Sequence, residues 1–83
     1  MNEILVGIYV PAIQTEYDVF ILANSGISDI LELTGKAISE QSDGRFVPDE
    51  TTVICRRTDG AILDINRSVY ESGIRNGSKL MLI

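Results

Sequence analysis

An α+β fold is predicted: one helix laid across a mixed sheet of four to five strands, in the order ββαββ. Three observations predict it. Residues 3–10 and 17–23 are extended runs of β-branched and aromatic residues that alternate with period two. The stretch between Ser28 and Ser42-Asp43-Gly44 carries the one helical stripe. The chain then closes on a short extended run, Lys79 to Ile83, fed by a turn holding Gly73 and Asn76-Gly77. A strand in that place must take its neighbours from earlier sequence. The first and last strands are therefore expected to pair in parallel at the sheet's centre, with hairpins flanking them.

Each element follows in turn. In residues 3–10, Ile4, Val6, Ile8 and Val10 fall on one face and Leu5, Gly7 and Tyr9 on the other. Pro11 cannot donate to a ladder and ends the run. In the second strand Val19 and Ile21 are placed inside, because Asp18 marks the face it shares with Phe20 and Leu22 as wet. Ser28 is the expected N-cap, with Asp29 and Glu32 near the positive end of the helix dipole. Ile30, Leu33, Ala37 and Ile38, with Thr34 among them, form the stripe. Gly35 weakens this helix by about 1 kcal/mol relative to Ala and allows a close approach to the sheet. Gly44 is available as a left-handed cap.

Thr51 to Arg57 reads as the third strand. Arg56 is costly inside, so Val53 and Cys55 are placed in the core and Ile54 and Arg56 outside. Thr58-Asp59-Gly60 is a hairpin turn leading to a short strand over residues 61–64. Val69, with Tyr70, anchors the loop that follows. In the last strand Leu80 and Leu82 point in, and Met81 and Ile83 point out.

Composition bounds the function. The chain has 83 residues, which make one small domain over 1–83. It is 45% hydrophobic, enough for one core and too much for disorder. Twelve acids against seven bases leave a net charge of −5, which disfavours nucleic acid and anionic lipid as partners. With one cysteine and no histidine there is no internal disulfide, no Cys/His zinc site and no Ser-His or Cys-His catalytic pair. Cys55 is read as a core cysteine. The loop acids Asp43, Asp49 and Glu50 lack the spacing of a calcium loop and read as solvated. Gly73 and Gly77 lack the Lys-Ser/Thr and the helix that a phosphate loop needs. No stretch reads as a signal peptide or membrane span, and no cofactor is implied. These features suit a cytoplasmic protein.

The strand order, the segment Arg56-Arg57-Thr58-Asp59-Gly60-Ala61-Ile62-Leu63-Asp64, and the terminal Ser72-Gly73-Ile74-Arg75-Asn76-Gly77-Ser78-Lys79-Leu80 together resemble the ubiquitin-like β-grasp fold. More narrowly they resemble the YukD/EsaB family, cytosolic ubiquitin-like proteins of Gram-positive type VII (ESX-type) secretion systems. The resemblance implies an adaptor or regulator that binds a cytosolic part of the machinery and catalyses nothing. The sequence stops at Ile83 without the diglycine that ubiquitin conjugation and sulfur transfer both use, so neither chemistry is expected. Met1 and the compact end predict a complete protein.

The strand phases above leave the face away from the helix apolar, with Leu5, Tyr9, Phe20, Leu22, Ile54, Met81 and Ile83 on it and Arg56 as a rim charge. Such a face normally carries polar residues, and a contiguous apolar patch marks a partner surface. The expected protein-binding residues are therefore Leu5, Phe20, Ile54, Arg56, Met81 and Ile83. Ile54 and Ile83 fall about where the resemblance places ubiquitin's recognition patch. The alternatives are a self-assembling module unrelated to secretion, with this face buried in a weak homodimer, and a sulfur-carrier-like protein.

Overall fold

A computed structural model describes residues 3–83. Strand β1 (Glu3–Val10) runs through a short 3-10 turn (Pro11–Ile13) into β2 (Thr15–Leu22). Helix α1 (Ile27–Gln41) follows, then β3 (Ile54–Arg56) and β4 (Lys79–Leu82). The sheet order is β2-β1-β4-β3. β1 and β4 are parallel at the centre, as the position of the last strand requires, and the outer pairs are antiparallel.

The core lies between this sheet and α1. Val6, Ile8, Val10, Ile21, Leu80 and Leu82 meet Ile27, Ile30 and Ile38 of the helix, all buried. The registers fix this face. Ile8 lies beside Leu80, and Leu82 beside Ile54. Ile54 is therefore a core residue, only 1% exposed. That reverses the expected phase of the third strand. Arg56 misled the reading because it stands at the strand's last position. There its side chain leaves the sheet and reaches Asp59 at 3.9 Å, so its charge says nothing about the face that Ile54 occupies.

The helix begins two residues earlier than an N-cap at Ser28 implies, at Ile27, with Gly26 at the N-cap and no side-chain cap. A strap does the capping. Ile27 N–H donates to the carbonyl of Arg67 at 2.8 Å, and Val69 N–H donates to Ser25 at 2.8 Å. One orphan helix donor is thereby satisfied by backbone from a distant loop. At the other end Gly44, at φ +77°, donates to Ser39 O, which closes the helix as expected. Leu33 and Ala37 are exposed rather than part of the buried stripe; Thr34 is buried in it as expected, and Gly35 is buried as well. A Cβ on Gly35 would meet Pro48 at 3.2 Å, so the close approach it allows is to the following loop and not to the sheet.

The strand expected over 61–64 shrinks to a single bridge, Cys55 to Ile62, with Leu63 N–H donating to Ile54 O. Two long loops complete the chain. Phe46 pins the first, and Leu63, Val69 and Ile74 pin the second, each with its side chain in the core. Tyr70, expected to help anchor the loop, is exposed.

Candidate functional site: the outer face of the sheet

The face of the sheet away from α1 is built by the alternate residues of every strand. Cross-strand registers place Phe20 beside Leu5, and Asp18, Gly7 and Lys79 in one row. The next row runs Glu16, Tyr9, Met81, Cys55 and, through the hairpin bridge, Ile62. Beyond it Val53 and Ile83 exchange both backbone hydrogen bonds, at 2.7 and 3.0 Å, and so share the same face.

These rows make two apolar patches with a charged belt between them. Leu5, Phe20 and Leu22 form the first. Tyr9, Met81, Cys55, Ile62, Val53 and Ile83 form the second. Its outermost members are the open ones, with Ile62 67% and Ile83 50% exposed. The belt is held by Glu16, whose Oε2 lies 3.2 Å from Arg57 Nη1 and 3.6 Å from Lys79 Nζ. Arg57 also lies over the Tyr9 ring, 4.5 Å from its centre. Gly7 makes this geometry fit: a Cβ there would come within 2.7 Å of Glu16 Oε2 and 3.2 Å of the Lys79 side chain.

Leu5, Phe20, Met81 and Ile83 thus lie on the outer face, as the alternation predicts, although Leu5 and Phe20 stand apart from Met81 and Ile83. Ile54 does not. It is enclosed in the core and offers nothing to a partner. Arg56 lies across from Leu80, on the helix side of the sheet. Arg57, rather than the expected Arg56, is the charge beside the apolar patch. Val53, expected in the core, shares the outer face with Ile83 instead, and Ile62 was not expected there. The signal for Ile62 was present, since the Asp59-Gly60 turn sets it opposite Cys55.

Cys55 is buried despite its outward register, its thiol 3.7 Å from the Met81 carbonyl. Burial pushes its pKa up, away from the reactive thiolate. Asp49 is occupied locally: its carboxylate accepts from the Thr51 hydroxyl at 2.6 Å and the Thr51 N–H at 2.8 Å. These bonds, the hydroxyl's first, hold it below the usual carboxylate range. Among the described residues no three potential ligand side chains stand close enough to hold a metal ion. No described helix is long and apolar enough to cross a membrane.

The face can therefore bind by apolar contact, flanked by charge. Comparison with solved structures decides the fold. The ubiquitin-like domain of the Mycobacterium tuberculosis type VII secretion system protein ECCD1 superposes with a TM-score of 0.79 at 18% identity, over 100% of this chain and 99% of that one. The fold is the ubiquitin-like β-grasp. A chain of the MycP5-free ESX-5 inner membrane complex matches with a TM-score of 0.82 at 20% identity, over 100% of this chain and 21% of that one. The present chain thus spans about a fifth of that protein's length. Caldiarchaeum subterraneum ubiquitin matches with a TM-score of 0.70 at 16% identity, over 98% of this chain and 91% of that one. No protein-family model matches the chain, and no curated protein matches it in sequence.

Proposed function

We propose that this β-grasp protein is a non-catalytic adaptor or regulator of a type VII secretion system, of the YukD/EsaB kind. It works in the cytoplasm and binds a protein component of the machinery without covalent linkage. The observation that carries the reading is the second outer patch, where Ile62 and Ile83 stand exposed beside Met81 and Tyr9 on a sheet face that is normally polar. The likeness to ubiquitin-like domains of secretion proteins supports the setting. Met81, Ile62 and Ile83 are the anchors, Arg57 the charge at their edge, and Leu5 with Phe20 a secondary contact.

The test is capture from the protein's own cells, wild type beside an Ile62→Asp/Ile83→Asp double variant. Both positions are exposed, so folding is retained and circular dichroism checks it. Secretion components should co-purify with the wild type, dissociate on denaturation and be absent with the variant. Equal recovery by the variant would remove this face from the binding. A denaturation-resistant ladder would replace adaptor by modifier. Recovery of the protein alone would point to self-assembly.

A further inference from the structure

Arg56, Arg57 and Arg67 each meet a carboxylate. Arg75 meets none among the described residues, yet its side chain is held in place. The guanidinium lies over the exposed Tyr70 ring, 4.2 Å from its centre. Its Nη1 donates to the carbonyls of Ile74 at 2.9 Å and Tyr70 at 3.1 Å. Those bonds use one end of the group. Nε and Nη2, along the other edge, have no partner among the described residues. That edge is the pair of parallel N–H donors that a carboxylate accepts. Stacking and the two carbonyls fix its plane in advance, so little freedom is lost when an anion arrives.

Arg75 and Tyr70 border a cleft of about 710 Å³ at the end of the sheet where β1 begins and β2 stops. Ile4 and Ala23 give it apolar wall, and Asn24 adds an exposed amide. Backbone bonds hold the frame. Tyr70 N–H donates to Ala23 O at 2.9 Å, and Gly77 N–H to Leu5 O at 2.7 Å. Leu5 N–H in turn donates to Asn76 Oδ1 at 2.8 Å, which ties the turn carrying Arg75 to β1. Among the described residues, Glu3 is the one acid in the lining, and it forms no ion pair with Arg75.

We infer that this cleft binds the free C-terminus of a partner polypeptide whose last residue is apolar. The carboxylate takes the Nε/Nη2 edge of Arg75. In a last residue the carboxylate and the side chain share one Cα, so a single residue meets both Arg75 and the wall of Ile4 and Ala23. An internal aspartate or glutamate spends its side chain on the charge and leaves nothing for the wall. Asn24 meets the last peptide group, and Glu3 disfavours a second acid close behind it. The site uses neither outer patch and does not rest on the adaptor reading.

The probe is acetyl-serine-alanine-leucine with a free carboxylate. Titrated into the 15N-labelled protein, it should shift the amides of Ile4, Asn24, Tyr70 and Arg75 and the Nε signal of Arg75. The same peptide with its end amidated should bind about tenfold more weakly or worse, and so should the free acid with Arg75→Gln. Arg75→Lys keeps the charge without the paired donors and should restore only part of the binding. The amidated peptide is read on the unaltered protein, so that comparison stands even if a variant misfolds. Equal binding of the acid and the amide would overturn the inference. So would tighter binding of amidated acetyl-glutamate-alanine-leucine, since a side-chain acid would then be the ligand. Full binding by either folded variant, or no shift at these amides, would overturn it too.

Discussion

Glu71 and Ser68 hold each other by reciprocal bonds. The Glu71 carboxylate accepts the Ser68 N–H at 2.9 Å, and the Ser68 hydroxyl accepts the Glu71 N–H at 3.0 Å. This is a capping box on a single turn. It lies beside the Arg67–Val69 strap that caps α1. The backbone bond from Ser68, followed by its side-chain bond, holds Glu71 below its ordinary pKa of 4.5. A lowered native pKa contributes stability above the ordinary value, and this is lost as pH falls through the native one. A carboxyl-carbon titration should therefore give Glu71 a midpoint below 4.5, rising towards that value in Ser68→Ala. A second residue-scale prediction separates core from surface in one hairpin. Ile54→Ala should cost about 2–5 kcal/mol by denaturant unfolding, and Ile62→Ala less than about 0.5 kcal/mol. Similar costs at the two sites would mean that the strand phase is wrong. Sequence could not settle that phase. Three residues, Ile54–Arg56, contain too little alternation, and the one polar residue among them sits at the end, where a long side chain can leave either face.

At the scale of elements, what was legible depended on length. β1 has eight residues and full alternation, and its two faces fall as the pattern requires. β4 is short, but Leu80 and Leu82 against Lys79 and Met81 leave one reading. The helix was legible as an element and less so as a face. Its buried side includes Thr34, whose hydroxyl is satisfied by the Ile30 carbonyl at 2.6 Å. It also includes Gly35, which has no side chain to signal burial, while the apolar Leu33 is exposed. Gly35 is explained by its neighbour Pro48. Gly35→Leu should accordingly destabilise the protein by about 1–3 kcal/mol through overpacking, read as a lower denaturant midpoint. In Gly35→Ala the gain in helix propensity, about 1 kcal/mol, is offset by crowding at 3.2 Å. Phe46, Leu63 and Ile74 were not legible as anchors because the loops that carry them have no period.

The whole molecule is a small core with one face given to the helix and the other left apolar in two places. The belt of Glu16, Lys79 and Arg57 divides that outer face. Exposed pairs of this kind contribute about 0–1 kcal/mol, so the belt matters more for partner choice and orientation than for stability. Sequence alternation indicated that an apolar outer face exists. It could not show the belt, which depends on a diagonal contact across Gly7, nor Ile62, which joins the face only through the hairpin bridge. The measurement that tests the central claim most directly is photocrosslinking in the protein's own cells. A benzophenone side chain is placed at position 62 or 83, and at position 47 as an exposed control away from the sheet's outer face. Positions 62 and 83 should yield a discrete adduct with a secretion-machinery protein, and position 47 should not. Adducts from position 47 alone, or none from 62 and 83 while the partner still co-purifies, would contradict the assignment of the outer face.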